Sequence, residues 1–282
     1  MSFDLSLVAQ KSEPTTFEYD WKQIVLYALG IGAKQDELDY LYEGRGPKTF
    51  PSFAVVPSFA PMLALLGRTG GNLAAVVHGG QKVKMHAPLP PEGKLLTTAT
   101  IRGIYDMKKF ASVITDTETV DAKSGKKLFD TTWSIIFRGA GGFGGSPPPR
   151  EDVAVPPTDG TKPDFTMTEA TTKEQALLYR LSGDVNPLHA DPAFAQMAGF
   201  PQGPILHGLC TFGYMVRHVV SGACGGDATK LRSFEAQFRK PVWPGDTIVT
   251  RGYKIEGGRY ALDVGVSERP DPVITNAVAI VD

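Results

Sequence analysis

A segment rich in glycine and proline divides this chain of 282 residues into two halves. It runs from Gly139 to Lys162 and reads GAGGFGGSPPPREDVAVPPTDGTK. So much glycine and proline cannot continue a helix or a ladder of hydrogen-bonded strands. We therefore expect an N-terminal repeat at 1–145, a linker at 146–164 and a C-terminal repeat at 165–282. Two domains are the first expectation for this length, and one large domain is the alternative.

Both halves show the same order of predicted elements, because helical spacing of apolar residues comes first and strand-like alternation follows. In the first half, the predicted helices are 21–29 and 60–66, and the predicted strands are 95–104, 112–120 and 131–137. In the second half, the predicted helices are 173–181, 192–198 and 204–220, and the predicted strands are 231–238, 247–255, 260–266 and 273–281. This shared order favours two copies of one fold.

A faint internal repeat supports the two copies. The stretch YALGIG from Tyr27 resembles YRLSGD from Tyr179, and PLPPEG from Pro88 resembles PVWPG from Pro241. One apolar helix followed by antiparallel strands suits a curved sheet wrapped around a central helix, because this arrangement buries both apolar faces. That description resembles the hot-dog fold. We therefore expect an α+β protein with a tandem double hot-dog fold.

Composition and charge argue against several functional classes. The formal net charge is −1, so we expect no bulk attraction to nucleic acid or to an anionic membrane surface. The two cysteines, Cys210 and Cys224, lie in or beside an apolar helical stretch, which favours buried thiols in a reducing compartment. No secretory signal or membrane span is expected, and the last three residues, Ile-Val-Asp, differ from the Ser-Lys-Leu peroxisomal signal. We expect a cytoplasmic enzyme, or a peroxisomal one if the source is a eukaryote.

The densest run of candidate functional residues is YRLSGDVNPLHADPAFAQMAGF, at 179–200. A helix precedes it in the predicted structure. The pair Thr172 and Gln175 has the spacing of a capping box, which predicts the start of that helix. Gly183 can end the helix, because glycine accepts the left-handed backbone of a helix C-terminus.

A second helix is predicted directly after the motif. Asp191 is a good N-cap residue, and Pro192 suits the first helical position. Between the two helices, Pro187 prevents a continuous helix. Residues 184–190 should therefore form a short loop held at both ends, which is a common setting for catalytic groups.

This loop carries a carboxylate and an imidazole, on Asp184 and His189. Held together, these groups can share a water molecule, one removing a proton and the other supplying one, and such catalysis contributes about 10² to 10⁴ in rate. The amide of Asn186 could orient the carboxylate or the water. Taken singly, Asp184 and Asn186 are more often turn formers, and His189 a capping or core residue. Their combination on one loop favours catalysis.

The wording of two motifs resembles a known family. DVNPLHADP, from Asp184, and GPILHGLCTFG, from Gly203, are similar to the hydratase 2 segment of MaoC-like proteins and of peroxisomal multifunctional enzyme type 2. YALGIGA, LYEG, GGFGG and KPVWPG recur in the same order in that family. The resemblance implies reversible hydration of trans-2-enoyl-CoA to (3R)-3-hydroxyacyl-CoA. It also implies no cofactor, an acyl-CoA substrate, and homodimers as an assembly to test.

The resemblance assigns roles to individual residues. Asp184 and His189 would be the catalytic pair, Asn186 would orient them, and the amide of Gly208 would face the thioester oxygen. Gly32 occupies the position of Asp184 in the first repeat, so the first repeat would bind the acyl chain, of medium to long length, without catalysing. The resemblance also implies seven residues that bind substrate. They are His78, Gly79, Lys108, Val185, Pro187, Leu188 and Phe238.

Two other motifs are weaker. The segment GAGGFG, at 139–144, satisfies the dinucleotide pattern G-x-G-x-x-G, but prolines follow it instead of the helix that a pyrophosphate site needs. His207 and Cys210 have the helical spacing of metal ligands, but no second pair appears at a usable interval. We therefore expect neither a nicotinamide cofactor nor a metal.

Three rival functions stay open. A dehydratase acting on acyl-carrier-protein thioesters would use the same chemistry with another handle. A thioesterase on the same fold would direct water at the thioester carbon. A non-catalytic acyl-CoA-binding protein would not need the pair of Asp184 and His189.

Overall fold

The computed structural model describes residues 3–149 and 154–282. These residues form two compact units. The first contains residues 3–18, 54–87 and 94–149, and the second contains Tyr19–Phe53, Pro88–Gly93 and Ala154–Asp282. Part of the predicted linker, 150–153, lies outside the described residues, and the rest of it forms neither helix nor strand. Residues 19–53, which precede the linker in sequence, thus belong to the same unit as the second half of the chain.

The described residues contain ten strands and six α-helices. The strands are β1 (Thr15–Tyr19), β2 (Val76–Met85), β3 (Gly93–Asp106), β4 (Phe110–Asp121), β5 (Lys127–Arg138), β6 (Phe165–Ala170), β7 (Leu231–Phe238), β8 (Thr247–Lys254), β9 (Arg259–Val266) and β10 (Arg269–Val281). The helices are α1 (Trp21–Gly30), α2 (Leu38–Leu41), α3 (Val55–Gly67), α4 (Gln175–Tyr179), α5 (Pro192–Met197) and α6 (Gly208–Ala223). None of the described helices has the length and apolar character needed to cross a membrane.

The order of strands confirms that the chain contains two copies of one topology. Strands of the first half follow one another across their sheet as β1-β3-β4-β5-β2, and those of the second half as β6-β8-β9-β10-β7. The second order is the first with each strand replaced by its counterpart in the repeat. The pairs β2–β5, β3–β4 and β4–β5 are antiparallel, as are β6–β8, β8–β9, β9–β10 and β7–β10.

One long helix packs on the strands of each half. α3 contacts β4 and β5, and its buried face includes Val55, Met62, Leu65 and Leu66. α6 contacts β6, β7 and β8, and all of its residues from Leu209 to Val220 are buried. Such burial removes apolar surface from water, which is the main term that stabilises a fold of this kind. Each copy is therefore a sheet and a central helix, as the sequence predicts.

The buried guanidinium of Arg217, on α6, is paired with groups of the second unit. The Arg217 guanidinium donates to the carbonyl of Ile31 at 3.2 Å, to Glu37 at 2.9 Å and to Glu169. Lys34 also pairs with Glu169, at 3.0 Å. A buried guanidinium without these partners would cost several kcal/mol. The network therefore ties α6 to the segment 31–37 and to β6.

Most predicted elements are confirmed, but three strands are missing from the prediction. β1 and β6 have only 5 and 6 residues. β2 is longer, but its pairing with β5 shifts register between His78 and Gly80, so a bulge interrupts the alternation that marks a strand. Short or bulged strands give weak periodicity, which explains why the sequence pattern does not reveal them.

The helix predicted at 60–66 begins earlier, at Val55, and two further helix predictions are wrong in detail. The helix predicted at 204–220 begins only at Gly208, because the preceding residues are held extended by the bond from Leu206 N to Val242 O at 2.7 Å. The capping box predicted at Thr172 is absent, since α4 has no side-chain cap and the Gln175 amide donates to the carbonyl of Gly30 at 2.7 Å. Tertiary hydrogen bonds outweigh the local pattern at both places.

Gly32 is the position in the first half that matches Asp184 of the second half, and the space beside Gly32 is closed to any side chain. Gly32 has φ of +83°, and a Cβ placed there would lie 2.4 Å from Cζ of the Tyr214 ring. Atoms do not approach that closely without displacement. The Tyr214 ring therefore fills the space beside Gly32, which is why this half carries no carboxylate at this position.

We predict that Gly32→Ala destabilises the protein by about 2–4 kcal/mol, because it adds left-handed strain and a clash with Tyr214. Gly225→Ala is the matched control, since Gly225 has φ of +62° but nothing within 4 Å of its added Cβ. The control should cost only the strain, about 1–2 kcal/mol. Urea unfolding of both variants measures the difference, and equal losses would show that Tyr214 does not occupy this space.

Candidate active site

The loop 184–190 is fixed at both ends. A 3-10 turn, Arg180–Ser182, follows α4, and Gly183 then takes φ of +127°, a value that favours glycine. At the other end, the Asp191 carboxylate accepts from the main-chain N–H of Ala193 at 2.8 Å and caps α5. The predicted roles of Gly183 and Asp191 are therefore confirmed, and the loop is a short connection between two ordered ends.

Asn186 orders the interior of the loop. Its side-chain oxygen accepts from the N–H of Leu188 at 3.0 Å and caps the 3-10 turn Pro187–His189. Its main-chain N–H donates to Oδ1 of Asp184 at 3.2 Å. Asn186 thus contacts the carboxylate through its backbone, whereas the sequence suggests its side-chain amide.

The His189 imidazole is held in one tautomer. The side chain is 8% exposed, and Nδ1 lies 2.8 Å from the carbonyl oxygen of Ile205. Because a carbonyl can only accept, Nδ1 carries the hydrogen and Nε2 carries the lone pair. Burial lowers the pKa of His189, although the bond to Ile205 and the nearby Asp184 carboxylate oppose the shift. His189 is therefore neutral at neutral pH and can accept a proton on Nε2.

His207 lies directly against this pair. Its ring stacks on the His189 ring with centroids 3.7 Å apart and planes 26° apart. Its Nε2 donates to the main-chain carbonyl of Asp184 at 3.0 Å. Burial and, to a smaller extent, the charge of His189 together lower the pKa of His207 to about 3. From the sequence, His207 is considered only as a residue of a predicted apolar helix and as a metal ligand with Cys210. Its place next to Gly208 in GPILHGLCTFG is the one signal that could have identified it.

Asp184, His189 and His207 also present atoms that could ligate a metal. These atoms all lie within 4.8 Å of one another. One nitrogen of each ring already donates to a main-chain carbonyl, so His189 Nε2 and His207 Nδ1 are the nitrogens that could bind an ion. Cys210, which has metal-ligand spacing with His207, donates its thiol to the carbonyl of Gly30 at 3.3 Å. The expectation of no metal stays a prediction.

Gly208 and Phe238 lie side by side, as two of the predicted site residues. Gly208 is the first residue of α6, where main-chain N–H groups have no acceptor inside the helix. A Cβ added to Gly208 would lie 3.3 Å from Cε1 of Phe238, so the aromatic ring packs directly on the glycine. An N–H at a helix start suits an oxygen that gains negative charge.

A cavity of about 640 Å³ borders His189. Its lining comes from α4, from the segment before α6 and from the loops beside β8 and β10. The lining residues are Lys173, Ala176, Leu177, His189, Ala190, Gln202, Pro204, Trp243, Pro244, Asp246 and Arg269. The Arg269 guanidinium lies 4.8 Å from the Trp243 ring centroid and 2.6 Å from the Asp246 carboxylate, which makes this wall rigid. His189 thus borders a cavity of the second unit, whereas Asp184, Gly208 and Phe238 do not line it.

Three predicted substrate-binding residues lie in the first unit. His78 is on β2, where Nε2 donates to the carbonyl of Gly80 at 3.0 Å and the ring stacks on Trp133. Burial lowers its pKa to about 4. Gly79 forms the bulge, and Lys108 has φ of +67° in the turn between β3 and β4. Their contact with substrate stays a prediction.

The glycine-rich segment binds a carboxylate of the protein itself. Asp106, at the end of β3, accepts from the N–H of Gly142 at 2.9 Å and of Gly144 at 2.8 Å. It also accepts from Lys108 N at 2.8 Å. A Cβ on Gly141 would lie 2.6 Å from the Lys108 carbonyl, so this segment packs tightly on the β3–β4 turn. The glycines are thus explained by local packing.

Comparisons with known proteins agree on the family. Residues 17–139 match the MFE-2 hydratase 2 N-terminal domain, and residues 155–276 match the MaoC-like domain. The chain is 40% identical over 274 residues to 3-hydroxyacyl-thioester dehydratase Y of Mycobacterium tuberculosis, covering 95% of this chain and 93% of that protein. It is 35% identical over 295 residues to the peroxisomal enoyl-CoA hydratase 2 of Arabidopsis thaliana, covering 97% and 94%.

A solved structure supports the same assignment. The crystal structure of a MaoC-like dehydratase from Phytophthora capsici superposes with a TM-score of 0.88 at 28% identity, covering 100% of this chain and 98% of that one. The double hot-dog fold expected from the sequence is therefore confirmed. On this evidence the chain belongs to the MaoC-like hydratase 2 family and is a hydro-lyase.

Proposed function

We propose that this enzyme adds water reversibly to trans-2-enoyl-CoA and forms (3R)-3-hydroxyacyl-CoA, with Asp184 and His189 as the acid/base pair. The observation that carries the proposal is the placement of a carboxylate and a neutral imidazole on one capped loop. Membership of a family with a hydratase role in fatty acid metabolism supports it. A cavity borders His189, one member of the pair.

The geometry suggests how the protons move. The lone pair on His189 Nε2 and the Asp184 carboxylate can hold one water, whose oxygen attacks C3 of the enoyl group. One of the two groups takes a proton from that water as its oxygen bonds to C3, this proton passes to the other group, and that group gives it to C2. Water is thereby added across the double bond, and both groups return to their starting state. No other reactant is consumed.

Charge develops on the thioester oxygen while the water attacks. The N–H of Gly208 at the start of α6 would stabilise this enolate oxygen, since the donor is already oriented. Gly208 has no side chain, and the ring of Phe238 packs beside the place where its Cβ would lie. The same N–H would act in dehydration, because the reverse reaction passes through the same enolate.

The proposal also covers the residues that contact the thioester, the group that carries the acyl chain, and the location and assembly of the enzyme. We propose His78, Gly79, Lys108 and Phe238 as contacts to the thioester. Val185, Pro187 and Leu188, which lie on the catalytic loop, are three further proposed contacts. CoA is the proposed handle, no cofactor is required, and a cytoplasmic homodimer is the proposed state. The Arabidopsis relative is named as peroxisomal, so a peroxisomal location is the alternative if the source is a eukaryote.

Purified protein should lower the ultraviolet absorbance of crotonyl-CoA or decenoyl-CoA, since hydration removes the conjugated double bond. Its product should reduce NAD with a dehydrogenase specific for 3R-hydroxyacyl-CoA and not with a 3S-specific one. The same assay with acyl-carrier-protein thioesters compares the two handles. Release of free thiol without loss of the double bond would identify a thioesterase instead, and tight binding without turnover would identify a carrier.

Asp184→Asn and His189→Gln should each lower kcat by at least about 10², the lower limit for a positioned acid or base. Both variants should keep the circular dichroism spectrum of the wild type, because the loop is held mainly by its caps. Steady-state kinetics with crotonyl-CoA measures the loss. Folded variants that keep more than about a tenth of wild-type kcat would exclude the assigned roles.

Matched controls make the same chemical changes elsewhere. Asp191→Asn replaces one good N-cap residue with another at the far end of the same loop, so kcat should change little. His86→Gln alters a histidine that pairs with Asp130 in the first unit. Loss of activity in either control would show that these substitutions act through the fold.

A second part of the proposal concerns the acyl chain. α3 keeps an apolar helix in the half that has Gly32 in place of a carboxylate, and Ala60, Leu63 and Ala64 lie on its accessible face. We propose that this face contacts the tail of medium or long substrates. Each methylene removed from water contributes roughly 0.8 kcal/mol, so four more carbons could raise kcat/KM by up to about two orders of magnitude.

The enzyme should therefore prefer C10 or C16 enoyl-CoA to the C4 substrate, and Ala60→Trp or Ala64→Trp should shift the preference toward short chains. Because both alanines are accessible, tryptophan there should not overpack a core and stability should be kept. Ala74→Trp, an exposed change outside α3, is the control. A wild-type profile that is flat or falls beyond C4 would leave the first unit with a structural role only.

A further inference from the structure

At the candidate site, two histidines from separate segments each donate a hydrogen bond to a main-chain carbonyl of the other's segment. His189, on the catalytic loop, donates Nδ1–H to the carbonyl of Ile205 at 2.8 Å. His207, two residues beyond Ile205, donates Nε2–H to the carbonyl of Asp184 at 3.0 Å. The two rings stack on each other with centroids 3.7 Å apart. We call the two rings and these two carbonyls the histidine clasp.

We propose that His207 is a positioning residue, which holds Asp184 and His189 in their working geometry through the clasp. The inference rests on the proposed function for its meaning in catalysis. It assigns to His207 a role that neither the motif nor the chemistry of the reacting atoms requires. His207 would act through its two neighbours and would not exchange a proton itself.

The first argument is that His207 cannot readily act as an acid or base. Its Nε2–H is committed to the Asp184 carbonyl, and Nδ1 is buried without a hydrogen-bond partner among the residues that the structure describes. The ring is 1% exposed, and its pKa is lowered to about 3, so it is neutral at neutral pH. A neutral ring can lie against His189 when His189 takes up a proton, whereas a second imidazolium would repel it.

The second argument concerns the freedom of Asp184. Gly183, just before it, has φ of +127° and nothing within 4 Å of an added Cβ, so no side-chain packing at position 183 helps to hold Asp184. The bond from His207 to the Asp184 carbonyl fixes the peptide that carries the carboxylate. A shift of about 1 Å in a reacting group can cost roughly 10² in rate. We therefore expect this hydrogen bond to contribute more to the reaction rate than to the free energy of unfolding.

The third argument concerns the His189 ring. A single hydrogen bond at Nδ1 sets its tautomer but leaves the ring free to pivot about that bond. The stacked ring of His207 covers one face and limits the pivot, so Nε2 keeps its direction. Because Gly208 follows His207 directly, the proposed donor to the thioester oxygen shares the same anchor. One side chain thus sets the relative positions of three groups.

Three substitutions separate the contacts of the clasp. His207→Phe keeps a ring that can stack on His189 but has no donor for Asp184. His207→Gln keeps an amide donor at a similar distance but has no ring. His207→Ala removes both contacts. We expect kcat to fall by about 10-fold in each of the first two and by about 10² in the third, with KM within about threefold.

His218→Asn is the control for changing a buried imidazole on the same helix. His218 lies on α6 and its Nδ1 binds Thr250 at 2.9 Å, a bond that an asparagine amide can replace. This variant should lower the thermal midpoint and leave kcat unchanged. If His207 served only the fold, its variants would resemble this control. Folded His207→Ala with kcat within about threefold of wild type would overturn the proposal.

A readout without turnover uses nitrogen chemical shifts of the imidazoles in the complete protein. In the wild type, His189 should show one tautomer with hydrogen on Nδ1. In His207→Ala, the pivoting ring should lose part of its bond to Ile205, and the shifts should move toward the average of two tautomers. Unchanged His189 shifts in a folded variant would contradict the clasp.

The two measurements distinguish failure of the inference from failure of the function. A wild type that converts no enoyl thioester, but whose His189 tautomer depends on His207, would overturn the proposed function and support the clasp. A wild type that hydrates enoyl-CoA, with kcat and shifts insensitive to His207, would overturn only the clasp.

Discussion

The two hydrogen bonds between side chain and main chain in the histidine clasp are the constraint on which the candidate site depends. Each bond connects the catalytic loop with the segment that leads into α6. In each, a ring N–H donates to a main-chain carbonyl, which can only accept a hydrogen bond. Directionality therefore fixes both tautomers at once. Proton positions are set by the fold before any substrate is bound, and His189 Nε2 is left as a base.

α6 connects this constraint to the rest of the second unit. At its start are His207, as N-cap, and Gly208, and further along it Arg217 binds Glu37 and the carbonyl of Ile31. A helix buried along its whole central length is held by its neighbours on every side, so its first residue has little freedom. An N–H that must face a developing charge benefits from such rigidity, because it does not need to reorganise during the reaction.

The two halves share one topology but differ in chemistry. β1-β3-β4-β5-β2 and β6-β8-β9-β10-β7 are the same order, yet the position of Asp184 in one half is Gly32 in the other. The ring of Tyr214 lies where a side chain on Gly32 would be. Close packing means that this space cannot hold both the ring and a carboxylate. Retaining the fold and retaining the site are thus separate requirements, and the first half meets only one of them.

The sequence by itself determined the two repeats, most strands and the loop with Asp184 and His189, because these follow from periodicity, glycine and proline positions and local capping by Asp191. Tertiary structure alone decided the partner of Gln175, the start of α6 at Gly208 and the place of His207. Those three depend on hydrogen bonds and ring contacts between segments distant in sequence. Such contacts leave no period in the chain, so hydrophobic periodicity does not predict them.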